Sequence, residues 1–386
     1  MNKKGKALCL LLSVIFIITA VSGCNMNIGI GSDSFVFVND KGSEQSVSAE
    51  DILNYIPTRD DAMGDYMKAK LTGNELYIYN SVSYAVDNSF TSITVPEKYG
   101  FATPDNYIKA ITFYSCDSPF LEHNYTTDGT FRLTENTTVT TKSYTFSLSR
   151  NGTVFTNEKR LAYEKAKEIV DNIPVELMTK KQKMEYLYDY ICQNVKYVKA
   201  INNYNYNTVP IYDALIGGNE TICDGFADTV MLLFNLAGID CFAVEGLNSK
   251  NTGHVVVCAQ LDGQYYYFDP TNDANICASG FRAGFYYGLS DKQLSSYFKA
   301  EDIFLKLLPV CPTSKTGEKA DVIAQGDDDN SVNNAKAILS RVGAVNVYFP
   351  DNVSDKVRQN FGRKLATAFG SSLVNTTANG VVGYTK

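Results

Sequence analysis

The dipeptide Asp262-Gly263 constrains this chain more than any other feature. On one side runs His254-Val255-Val256-Val257-Cys258-Ala259-Gln260-Leu261, and on the other Gln264-Tyr265-Tyr266-Tyr267-Phe268. Asp-Gly between two β-rich runs signals a two-residue hairpin turn. Such a loop fixes register: Leu261 pairs with Gln264, so Val256 lies opposite Asp269, and His254, two residues earlier, shares that face. His254 and Asp269 become diagonal cross-strand neighbours, roughly 7–8 Å apart at the backbone, a gap that imidazole and carboxylate can close with a hydrogen bond. A four-residue loop would keep this parity, whereas an odd-length loop would place the two side chains on opposite faces. Pro270 ends the strand.

Upstream, Phe226, Val230, Leu233, Phe234 and Ala237 recur at helical steps from Cys223, and Gly238 closes the run. The period predicts a helix with Cys223 in its first turn. Thr221, with Asp224 three residues on, resembles a capping box, although Asp reaches less far than Glu or Gln. A thiol at a helix start faces unpaired backbone N–H groups and the positive end of the dipole, which predicts a lowered pKa. With only two histidines in the chain, His123 and His254, candidates for a base are few. Cys223 as nucleophile, His254 as base and Asp269 as orienter form a set suited to acyl transfer. His123 has no motif around it and reads as a surface or strand residue.

These residues fall in a wider pattern: Cys223-Asp224-Gly225-Phe226-Ala227, Leu236-Ala237-Gly238-Ile239-Asp240-Cys241, Gly253-His254, Leu261-Asp262-Gly263-Gln264-Tyr265-Tyr266 and Asp269-Pro270-Thr271. In order and spacing it resembles the transglutaminase-like superfamily over roughly residues 155 to 295. The resemblance implies an α+β, papain-like core, a cysteine-bearing helix packed on an antiparallel sheet. It also implies a Cys223-His254-Asp269 triad used for transglutamination, peptide hydrolysis or deamidation, in a superfamily that includes inactive members. The chain departs from the family where an aromatic, commonly Trp, follows the histidine and the Asp-Pro-Thr. Val255, Val256 and Asn272 stand there, and the chain has no Trp. The oxyanion donor besides the Cys223 backbone N–H is not identified by the sequence. Tyr206, Tyr212 and Asn219 are candidate groove residues by proximity to the helix start.

The N-terminus reads as an export signal. Lys3, Lys4 and Lys6 precede an apolar run, Ala7 to Val21, too short for a comfortable span, and Val21-Ser22-Gly23-Cys24 follows. This resembles a bacterial lipobox, which implies cleavage before Cys24, a lipid thioether on its sulfur, and anchoring at the extracytoplasmic face of a membrane. The alternative is an ordinary cleaved leader. The formal charge is −7, and loss of the three lysines would make it about −10, which argues against nucleic acid as a partner. Beyond Cys9 and Cys24, seven cysteines remain: Cys116, Cys192, Cys223, Cys241, Cys258, Cys277 and Cys311. One free thiol with up to three disulfides, or seven free thiols, both fit. No spacing suggests a metal site, and no cofactor is expected.

The 386 residues divide into a leader (1–23), a tether (24–34), an accessory α+β region (35–155), the central domain (156–300), a linker (301–330) and a small C-terminal α/β module (331–386). Helical periods cover Leu71 to Asn88, Asp105 to Phe113, Glu158 to Val170 and Lys181 to Tyr197. Thr130 to Ser149 reads as strand, and Cys277 to Phe298 as strand or loop. Lys315 to Asp329 reads as a polar hinge. The module alternates a helix (Val332 to Val342), a strand (Val345 to Phe349), a helix and a last strand (Val381 to Tyr384). Two functions from different classes follow. One is an anchored thiol enzyme acting on protein or cell-wall peptide, and the other is a surface scaffold that binds peptide or glycan without turnover.

Overall fold

The computed structural model describes residues 33–121, 133–138, 141–148, 156–174, 177–198, 208–370 and 373–386. The leader, Cys24, His123 and Tyr206 lie outside the described residues. Among those described, no helix is long and apolar enough to cross a membrane, and the seven cysteines are free thiols.

The chain is α+β. Its central sheet runs Gln264–Phe268, Gly253–Leu261, Cys241–Asn248, Phe298–Ala300, all antiparallel. Asp262 and Gly263 take φ of 53° and 78°, the two positive values that the short hairpin requires. Gln264 pairs with Leu261 and Phe268 with Val257, the register read from the turn.

The helix Cys223–Leu236 is buried from Gly225 through Phe234. The enclosed stretch takes in Asp228 and Thr229 along with its apolar side chains, and the helix packs against the central sheet and the helices Thr156–Asp171, Lys180–Asn194 and Pro210–Leu215. Lys180–Asn194 stops earlier than its period suggests. Lys196–Tyr197 instead forms a short strand parallel to Glu220–Thr221, which delivers the chain to the head of the Cys223 helix.

The accessory region is a five-stranded antiparallel sheet, in the order Glu44–Ser48, Ser34–Val38, Ser92–Pro96, Lys142–Ser147, Leu133–Thr137, with helices Asn74–Asn88 and Asp105–Asp117. It leans on the back of the central sheet. Ser115 donates to Glu245 at 3.4 Å, and Glu245 pairs with Val255, so it points away from the face that carries His254.

Lys315 to Asp329 is not a bare solvated hinge. It carries the helix Thr316–Lys319 and the strand Val322–Ile323, and Glu318 accepts from Lys181 at 2.8 Å and Lys315 at 2.7 Å. Residues Cys277 to Phe298 contain the end of the helix Pro270–Cys277, the helix Asp291–Leu294 and the start of an edge strand. The C-terminal sheet runs Val322–Ile323, Ala344–Tyr348, Val381–Thr385, Val374–Ala378, flanked by helices Asp329–Val342 and Asp355–Phe369.

Candidate active site

Cys223 is the first residue of its helix, as the period implies, but Ile222 is the N-cap and no side chain caps the helix. Thr221 is not the cap that the sequence suggests, because its hydroxyl donates to the Pro210 carbonyl at 3.1 Å. This contact draws residues 210 to 221 tightly against the helix start. A Cβ on Gly225 would collide with Thr221 Oγ1 and lie 2.7 Å from the Pro210 oxygen, so the close approach depends on glycine.

His254 sits near the start of the strand Gly253–Leu261, opposite Gly246. Phe298 occupies the space that this glycine leaves: a Cβ on Gly246 would meet Phe298 Cζ at 2.6 Å. The Phe298 ring presents edge-to-face to the imidazole, centroids 6.1 Å apart. Asp269 is fully buried and caps the helix Pro270–Cys277. His254 Nε2 lies 2.7 Å from Asp269 Oδ2. A carboxylate accepts only, so Nε2 carries the proton and Nδ1 is left free to take another.

The same carboxylate holds two further donors. The Asn272 backbone N–H reaches Oδ1 at 2.9 Å, and the Asn272 side chain donates to Oδ2 at 2.8 Å. The sequence marks Asn272 only as a departure from the family aromatic. Its role was nonetheless readable, since an Asp followed by Pro at the first helical position is a cap, and the third helical position can reach back to it. The Asp269 backbone N–H donates to the Tyr286 carbonyl at 3.0 Å. Buried Asp273, one turn on, accepts from the backbone N–H groups of Gly284, Phe285 and Tyr286 at 3.0–3.1 Å and from the Tyr188 hydroxyl at 2.7 Å.

The Cys223 thiol donates to Asp224 Oδ1 at 3.8 Å and receives the backbone N–H groups of Asp224 and of Val255, the neighbour of His254. The charge of Asp269 reaches the sulfur and that of Asp224 reaches the imidazole. The three residues chosen from the sequence thus share one electrostatic environment. Its sign differs from expectation. Burial pushes the Cys223 pKa well above the ordinary thiol value, and the carboxylates of Asp224 and Asp269 add to this against the two N–H groups. Placement at a helix start does not lower this pKa, because desolvation of the sulfur outweighs it. Burial also opposes charge on His254, but the charge and hydrogen bond of Asp269, with the charge of Asp224, outweigh it and raise the imidazole pKa.

The groove candidates fare differently. Tyr212 is half-buried and packs on the core. Asn219 is an exposed turn residue at φ 59°, its N–H donating to Asp213 and its carbonyl accepting from Lys196, a left-handed position that Asn tolerates. Among the described residues, no group of three or more His, Cys, Asp or Glu is placed to hold a metal ion.

Residues 166–270, which include Cys223, His254 and Asp269, match the sequence profile of the transglutaminase-like superfamily. This part of the chain is a transglutaminase-like domain. Among solved structures, the chain is similar to a TGase at 16% identity and a TM-score of 0.27, over 37% of this chain and 44% of that one. It is similar to a proposed cysteine protease from Cytophaga hutchinsonii at 14% identity and a TM-score of 0.25, over 36% of this chain and 62% of that one. A third similarity, to the periplasmic domain of TgpA from Pseudomonas aeruginosa, is at 12% identity and a TM-score of 0.24, over 35% of this chain and 55% of that one. The match spans less than two thirds of each of these chains. No curated protein matches.

Proposed function

We propose that the transglutaminase-like domain is a thiol acyl-transfer enzyme acting on protein or cell-wall peptide, with Cys223 as nucleophile, His254 as base and Asp269 as orienter. The contact that carries this reading is His254 Nε2 to Asp269 Oδ2 at 2.7 Å, in a domain whose Cys223 stands first in its helix. The raised thiol pKa makes the resting group neutral, so His254 Nδ1 takes the thiol proton as sulfur attacks the carbonyl carbon. The carbonyl π electrons move to oxygen, which the Cys223 backbone N–H would receive. Collapse breaks the C–N bond, and Nδ1 returns the proton to the leaving amine, leaving a thioester on Cys223. Water or a second amine then cleaves the thioester, the choice that separates hydrolysis and deamidation from transamidation. Localisation follows the sequence: anchoring through a lipid on Cys24 would place the domain at the extracytoplasmic face.

The scaffold reading, in which the domain binds peptide or glycan without turnover, draws support from the burial of Cys223, which pushes its pKa up and disfavours the thiolate. A panel of glutamine peptides and cell-wall peptides, each with and without a fluorescent amine, separates the two. The enzyme reading expects product that disappears in Cys223→Ala; binding without product in the wild-type chain would support the scaffold.

A further inference from the structure

The C-terminal module contributes no group to the chemistry above, yet its hydrogen bonds lead to it. The connection is the segment 282–287. From the module, the Asn379 side chain donates to the Phe285 carbonyl at 2.8 Å, and the Asn346 side chain donates to the carbonyls of Ala283 at 3.0 Å and Arg282 at 3.3 Å. From the central domain, Asp273 takes the N–H groups of Gly284, Phe285 and Tyr286. The Tyr286 carbonyl then accepts the Asp269 N–H at 3.0 Å. Consecutive peptide groups are therefore gripped from two sides, carbonyls by the module and N–H groups by the central domain. Phe285 is fully buried, and its ring is admitted by Gly383 of the module, where a Cβ would lie 2.5 Å from Cζ. Asn379 is itself fixed, with its carbonyl accepting from Gln293 at 3.3 Å and its φ of 50° in the left-handed region.

We infer that the C-terminal module is a positioning element for Asp269, acting through the segment 282–287, with Asn379 as the positioning residue. This inference rests on the proposed role of Asp269. Removing the Asn379 amide orphans a buried carbonyl, and the segment must shift or hydrate. The Tyr286 carbonyl moves with it, and so does the backbone from which the Asp269 carboxylate reaches His254. Displacements of a fraction of an ångström at such a contact weaken it strongly.

The test uses the full chain in a His123→Gln background, where His254 gives the single imidazole NMR signal. Asn379→Gly keeps the left-handed backbone and deletes only the donor. The expected result is a His254 pKa shifted down toward the ordinary histidine value, with kcat reduced about tenfold at nearly constant KM. Val374→Thr, on the exposed face of the same hairpin, should move neither. Superposable His254 titrations for wild type and Asn379→Gly would overturn the inference, as would an equal shift in Val374→Thr. The titration needs no turnover. Activity retained by Cys223→Ala would therefore sink the catalytic reading, whereas an unmoved titration sinks the positioning claim alone.

Discussion

Asn272 and His254 donate to one oxygen, Asp269 Oδ2, at 2.8 and 2.7 Å. Two donors on one oxygen share its electron density, so each limits the strength of the other. Asn272 therefore holds the carboxylate in place while moderating how far it raises the imidazole. Asn272→Ala is expected to raise the His254 pKa further, because Asp269 becomes the better acceptor, and to lower kcat/KM about three- to tenfold as the carboxylate gains freedom. An NMR titration beside a pH–rate profile checks both, and a downward shift would contradict the account.

Asp269→Ala tests the opposite sign. Without the carboxylate, burial dominates at His254 and disfavours the imidazolium, so the pKa falls and the acidic limb of the rate profile, which reports deprotonation of the base, moves to lower pH. Loss of the oriented base should cost about 10²–10⁴-fold in kcat. A rate within a factor of two of wild type would remove Asp269 from the mechanism.

The thiol gives a third expectation. Its pKa stands above the usual range because of burial first and the Asp224 charge next, so iodoacetamide alkylation of Cys223 should be slow at neutral pH and keep rising beyond the ordinary thiol midpoint of about 8.5. Asp224→Asn removes one of the charges opposing the thiolate and should accelerate labelling at every pH below the plateau. A rate that levels off below about pH 8 in the wild-type chain would show a preformed thiolate instead.

How far the sequence reaches depends on whether the cause is local. Asp262-Gly263 and the alternation beside it hold the hairpin register within sixteen residues of chain, so the His254–Asp269 contact could be read directly. The helices Cys223–Leu236 and Asp355–Phe369 declare themselves by period alone. Distant causes stay hidden. Thr221 has the sequence of a cap, but its hydroxyl is taken by Pro210. The strand Cys241–Asn248 needs Gly246 to admit Phe298 from far along the chain, and Lys315 to Asp329 looks solvated until Lys181 is brought to Glu318. The direction of the Cys223 pKa shift is likewise invisible, since sequence places the sulfur at a helix start but says nothing of the water removed around it.

Gly225→Ala opposes two magnitudes. Alanine in a helix interior gains roughly 1 kcal/mol over glycine, whereas forcing an atom against Thr221 Oγ1 and the Pro210 carbonyl costs about 1–3 kcal/mol in a packed site. One obstacle is backbone and cannot rotate away, so net destabilisation is expected, read as a lower urea midpoint. A higher midpoint would mean that the helix start is looser than described.

The most direct measurement of the central claim is the pre-steady-state release of p-nitrophenolate from p-nitrophenyl acetate, a minimal acyl donor that needs no knowledge of the substrate. A burst of about one equivalent per chain, with an acetyl group on Cys223 by mass spectrometry and loss of the burst in Cys223→Ala and His254→Ala, is expected. No burst in the wild-type chain, or one that survives in Cys223→Ala, would contradict the account.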